Sequence, residues 1–190
     1  MKKVAIFVAI VVALAASAYS QVPIGSKVEN FSLPDMTGKT QSLADLKGSK
    51  GVVLVFVSIQ CPVVRGYNER LNEIAKAYKS KGINLVGVDA NVTEPASDVK
   101  AHAMMNWDFP VLIDKDAKIA DKFAASVTPE AFFIDSNYVL LYHGAIDNDR
   151  SGRNVTERFL QTAFDSALTG KKIDRTSANA FGCTIKKTAD

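Results

Sequence analysis

This 190-residue chain is poor in the residues that most often announce a function. It has two cysteines, two histidines and one tryptophan. Two cysteines are too few for a disulfide-rich scaffold, although they are enough for one bond. His102 and His143 lie far apart and lack a third ligand set, so no metal site is expected. There is no glycine-rich phosphate loop and no Ser-His-Asp arrangement, so neither nucleotide binding nor serine-hydrolase chemistry is expected. No apolar run is long enough to span a bilayer: Val4–Ala16 is 13 residues long, whereas a span needs about 20.

That short run has a different meaning. Lys2 and Lys3 precede it, and Ala16-Ser17-Ala18 or Ala18-Tyr19-Ser20 follows as a small-x-small cleavage site. The pattern predicts a signal peptide over residues 1–20 and an exported domain over 21–190, periplasmic or secreted, without stable membrane association. Removing the leader takes two lysines and leaves 21 basic against 20 acidic residues, a net charge of +1. Such a balance offers no electrostatic case for nucleic acid. Export places the two cysteines where a disulfide persists. Asn91-Val92-Thr93 and Asn154-Val155-Thr156 fit the glycosylation triplet.

The apolar pattern gives one α/β domain. Val28–Leu43 reads as a hairpin turning at Asp35 and Gly38. Val52–Val57 is wholly apolar and β-branched, the mark of a strand buried on both faces. Val64, Tyr67, Leu71, Ile74, Ala75 and Tyr78 recur at helical spacing, and Ile83–Val88 is the next strand. Strand, helix, strand with short joins is a βαβ unit. A helix over 97–106 follows, with Val99, Ala103 and Met104 inward. Then come a short strand in "FPVLID", a brief helix over 117–124, a hairpin of 131–135 and 138–142, and a closing helix over 155–168. Residues 171–190 lack periodicity and read as a tail. The order predicts a central mixed β-sheet flanked by helices on both faces, with an N-terminal hairpin extension.

Cys61 stands where the buried strand runs into the first long helix. Pro62 suits the first helical position, which makes Cys61 the N-cap. The first-turn amides and the helix dipole favour its thiolate. Arg65, one turn on, adds positive charge. Thr128-Pro129 precedes the strand AFFID, where an X–Pro bond has access to the cis form.

With these placements the chain resembles a family. "FSLPDMTGKTQSLADLKGSKGVVLVFVSIQCP", "VTPEAFFID", "YHGAID" and "FGCTIK" together are similar to the thioredoxin-like redoxins. Within them the likeness is to a peroxiredoxin-like, AhpC/TSA-related extracytoplasmic branch, and it spans about residues 22–187. It implies a thioredoxin-like fold, with Cys61 matching the nucleophilic cysteine. Pro129 then matches the cis-proline that, with Pro62 and Thr128, lines a groove for an extended substrate segment. No cofactor and no metal is implied.

Departures from the pattern set the mechanistic question. Val64 stands where thioredoxins carry their second cysteine. Ser58 fits the hydroxyl that peroxiredoxins place three residues before their cysteine, but Leu54 replaces their proline, and no arginine completes that site. Cys183 follows Gly182 in the tail. It is open to three readings: a resolving thiol that swings to Cys61, half of a permanent bond, or an unpaired thiol. The leading expectation is an exported thiol–disulfide oxidoreductase acting on protein thiols and disulfides. The alternatives are a thiol peroxidase taking a small peroxide, and a non-catalytic binding domain with a structural Cys61–Cys183 bond.

Overall fold

A computed structural model describes residues 21–187; the leader expected over 1–20 lies outside them. The hairpin forms as expected, from β1 (Ser32–Pro34) and β2 (Thr40–Ser42). Asp35 fixes its turn by accepting from Thr37 N at 2.8 Å and Lys39 N at 3.1 Å. A one-turn helix follows, α1 (Leu43–Leu46), whose Ser42 and Asp45 form a capping box. The sequence reading passed over it, because four residues are too few to show a helical period.

The central strand is β3 (Gly51–Val57). Its side chains alternate between two cores: Val53, Val55 and Val57 on one face of the sheet, Val52, Leu54 and Phe56 on the other. That double burial is why the sequence shows no polar alternation there. α2 (Pro62–Lys79) packs Val64, Tyr67, Leu71 and Ile74 into the first core, and β4 (Ile83–Asp89) then pairs parallel with β3. α3 (Ala96–Asn106) leads to β5 (Val111–Ile113), parallel with β4. α4 (Lys118–Phe123) lies on the second face. Next come the two-residue β6 (Val127–Thr128), β7 (Glu130–Asp135) and β8 (Leu140–Gly144). β7 pairs antiparallel with β3 and with β8. α5 (Phe159–Leu168) closes the first face with Leu160, Ala163 and Phe164.

The chain beyond α5 departs from the expected tail. β9 (Ser177–Ala178) adds a sixth strand, in the order β5-β4-β3-β7-β8-β9. β10 (Cys183–Thr184) pairs antiparallel with β6. Pairs of two residues carry no readable period, so only neighbouring backbone reveals them. Gly144 lets β9 approach, since a Cβ there would collide with the Ala178 carbonyl.

Three local expectations change. The closing helix starts at Phe159, not 155. The 131–135 strand and its partner are joined over residues 136–139, because Asp135 Oδ1 accepts from both Asn137 N and Val139 N at 2.8 Å. Met104 points outward, 71% exposed, while Val99 and Ala103 are buried as expected.

Candidate active site

The site is built where β3 ends. The sheet drives Val57 into the core, residues 58–60 turn, and Cys61 becomes the N-cap of α2 with φ −77° and ψ 116°. Pro62 occupies the first turn, and Cys61 makes no side-chain capping bond. Its sulfur is instead bonded to Cys183, with the two Cα atoms 5.8 Å apart, inside the usual disulfide range of about 4.4–6.8 Å. Sequence reasoning left that pairing open between three states; the fold brings the two residues together across a separation of 122 positions.

Thr128 and Pro129 join them, both buried. The Thr128–Pro129 peptide is cis. Cys61 Sγ lies 3.3 Å from the Thr128 carbonyl oxygen. In the disulfide that sulfur has no proton to donate; the thiol of the reduced protein has one. Thr128 is also the partner of Cys183 in the β6–β10 pair, and its hydroxyl donates to the Cys183 carbonyl at 3.4 Å. Gly182 permits this approach, because a Cβ there would run into the Thr128 carbonyl oxygen. Glu130, buried behind the loop, accepts from Ser126 N at 3.0 Å. Pro62 and Arg65 are exposed beside the site. The charge of Arg65 reaches His102, whose pKa falls through burial first and Arg65 second.

The Cys183 segment is docked along both edges. On one side Ile185 N donates to Ser126 O at 2.9 Å. On the other, Lys186 N donates to Asn91 Oδ1 at 3.0 Å and Val92 N donates to Lys186 O at 2.9 Å. Ile185 itself is 5% exposed and belongs to the second core. In sequence Asn91 begins a triplet that fits the glycosylation pattern. In the fold it is buried and bonded to Val57 and Lys186, so its amide is inaccessible.

The same loop holds the approach to Cys61. Glu94 is buried and accepts from Ser58 Oγ at 2.5 Å, Ile59 N at 2.9 Å and Gln60 N at 3.0 Å. Bonds to an ionised acceptor are the stronger kind, so residues 58–60 are tightly held. Ser58, whose hydroxyl would matter to a peroxidase, spends it on Glu94. Behind Glu94 lies Asp89, 3% exposed, with an Oδ2 that has no other partner. Burial pushes the Asp89 carboxyl well above the ordinary range, and Glu94 adds to the shift by hydrogen bond and charge. Burial also disfavours the Glu94 anion, yet hydrogen bonds from Asp89, Ser58, Ile59 and Gln60 outweigh it and pull its pKa down. The two carboxyls are thus pushed in opposite directions, Asp89 up and Glu94 down. Neither acid was singled out from sequence. The available signal was position, since Asp89 ends a parallel strand and Glu94 lies in the loop after it, where α/β folds gather their sites.

The two histidines serve packing. His102 meets the Trp107 ring edge-on at 4.9 Å, and His143 stacks on Phe132 at 5.8 Å.

Comparison with known proteins agrees with this architecture. The AhpC/TSA family model matches residues 24–143. That match ends before Cys183. The thiol-disulfide oxidoreductase ResA of Bacillus cereus (strain ZK / E33L) is 36% identical over 119 residues, covering 62% of this chain and 66% of that protein. The matched segment thus spans slightly less than two thirds of the relative's length. A hypothetical protein from Sinorhizobium meliloti 1021 is similar in structure, with 32% identity and a TM-score of 0.82 over 90% of this chain and 98% of its own. The exposed lipoprotein thioredoxin of Streptococcus pneumoniae strain TIGR4 shares the fold alone, at 24% identity and a TM-score of 0.58 over 72% of this chain and 99% of that one.

Proposed function

The chain belongs to the AhpC/TSA family, and we propose that it is an exported thiol–disulfide oxidoreductase whose Cys61–Cys183 pair cycles between disulfide and dithiol. The observation that carries this reading is the bonded pair itself, with Cys61 at the N-terminus of an 18-residue helix. A thiol at a helix N-terminus has its pKa lowered from about 8.5, and a second thiol within bonding reach allows a mixed disulfide to be released. Cys61 is the thiol that the helix N-terminus activates, and Cys183 is its paired thiol, standing in for the absent local cysteine at Val64. Thr128 and Pro129 flank Cys61 beneath the Cys183 segment, Pro62 lies exposed beside the pair where a partner segment can approach, and Arg65 adds positive charge on the solvent side. The substrates are protein thiols and disulfides. Export rests on the leader pattern of residues 1–20. Among the described residues no helix is long and apolar enough to cross a membrane.

The peroxidase alternative loses its main support, because the Ser58 hydroxyl is committed to Glu94. The binding-domain alternative requires a bond that never opens. Equilibration in glutathione redox buffers separates the two remaining readings. A potential above about −300 mV, with reduction of a protein disulfide that disappears in Cys61→Ser, supports the oxidoreductase. A potential below about −300 mV marks a structural bond and would sink it.

A further inference from the structure

The two cysteines of the pair are not equally exposed. Cys61 is 1% exposed, whereas Cys183 is partly exposed on a two-residue strand that follows exposed Gly182. Cys61 is covered by the segment that carries Cys183. That cover is fastened by bonds that do not involve sulfur: Ile185 N to Ser126 O, Lys186 N to Asn91 Oδ1 and Val92 N to Lys186 O. The buried Ile185 side chain anchors it further.

We propose that partner thiols enter at Cys183, and that Cys61 acts from behind it as the leaving group and as the internal nucleophile. The inference rests on the exchange reading above and assigns the order of attack within it. An incoming thiolate attacks the sulfur it can reach, and the displaced thiol leaves faster the lower its pKa. Both conditions select Cys183 as the point of attack. Cys61 departs to the N-terminus of α2, where the first-turn amides stabilise the anion. Cys183 has no helix N-terminus to receive it if the order is reversed.

A partner thiolate forms a bond to Cys183 Sγ; the Cys61–Cys183 bond breaks and Cys61 keeps its electron pair as the thiolate. A second partner thiolate attacks the partner's sulfur in this mixed disulfide, which releases oxidised partner and the Cys183 thiolate. Two partner thiols have then given two electrons to the protein, and solvent supplies the protons. When the reduced pair meets a partner disulfide, the Cys183 thiolate attacks one of its sulfurs and displaces the other as a thiolate; the Cys61 thiolate then attacks Cys183 Sγ, closes the pair and displaces the second partner thiolate, so the partner gains the two electrons that the pair loses.

The test treats the oxidised full chain with reduced glutathione, quenches with iodoacetamide within seconds, and maps the adducts by peptide mass spectrometry. Glutathione should lie on Cys183 with the alkyl group on Cys61, in about tenfold excess over the reverse pattern. Glutathione on Cys61, or shared evenly, overturns the order of attack while leaving the exchange reading intact. An inert disulfide that yields no adduct overturns the exchange reading and the order with it. Hydrogen exchange on the reduced wild-type protein supplies a second measurement that needs no variant. The Ile185 and Lys186 amides should stay protected; exchange at the rate of free chain means that the cover opens on reduction, and that also overturns the proposal.

Discussion

The two cysteines are held by opposite means. Cys61 is placed by its own neighbourhood: an apolar strand, a turn and a proline that starts an amphipathic helix. Cys183 sits in a segment with no period and no long element, and everything that places it comes from elsewhere in the chain. Ser126 and Thr128 pair with it on one side, Asn91 and Val92 on the other. A cysteine at a helix N-terminus can thus be written in a dozen consecutive residues, whereas its partner can be written as a few backbone hydrogen bonds to distant loops.

The comparison breaks most severely when the link is cut. Cys183→Ser removes a closure of 122 positions, which in the chain-entropy model stabilises by about 5 kcal/mol. Urea unfolding under oxidising conditions should show a loss approaching that size, and reduced wild type should fall by a similar amount.

A somewhat smaller effect comes from spoiling the dock while keeping both thiols. Gly182→Ala drives a methyl group into the Thr128 carbonyl. The strand must shift, at a cost of about 1–3 kcal/mol. Disulfide formation after reduction should slow, as free-thiol titration would record. An unchanged closure rate would mean that β10 is not what positions Cys183.

Glu94→Ala tests the other side. It leaves Ser58 and two backbone amides without their acceptor, worth about 1–3 kcal/mol. Alkylation of Cys61 in the reduced protein should change while protection of the Ile185 amide does not, since the Glu94 side chain holds residues 58–60, and the backbone bond from Glu94 N to Asn91 O survives the substitution.

The subtlest prediction concerns pH. Asp89 binds its proton more tightly folded than unfolded, because burial and Glu94 raise its pKa. A carboxyl of this kind destabilises the fold as pH rises from the unfolded value, about 3.9, through the raised folded one. Glu94 acts in the opposite sense: its lowered folded pKa gives stability that is present above about pH 4.3 and lost on acidification. Asp89→Asn keeps a donor for Glu94 and removes the ionisation at position 89. Melting temperatures against pH should show wild type losing ground relative to the variant as pH rises across that window. Parallel curves would mean that Asp89 carries its charge without penalty.

Much of the architecture was legible because burial leaves a period. β3 is apolar at every position, α2 repeats every three or four residues, and the βαβ order follows from short joins. Misreadings arose where local cues were weak. Met104 looked like core because methionine is apolar, yet α3 turns it to solvent. The Asn91 triplet resembled an acceptor because a triplet carries no information about burial. Asp89, at the end of β4, and Glu94, in the loop after it, look like ordinary acids until the chain is folded beneath residues 58–60.

By itself, then, the sequence determined the sheet, the helices on its two faces, and a cysteine at a helix N-terminus, since each depends on residues close together in the chain. Only the tertiary structure decided that Cys183 is Cys61's partner, that it lies over Cys61, and that Asn91 and Glu94 hold the two sides. Those outcomes depend on backbone hydrogen bonds and burial between segments distant in sequence. A backbone N–H or C=O is the same in nearly every residue, so the sequence gives no sign of where such bonds will form.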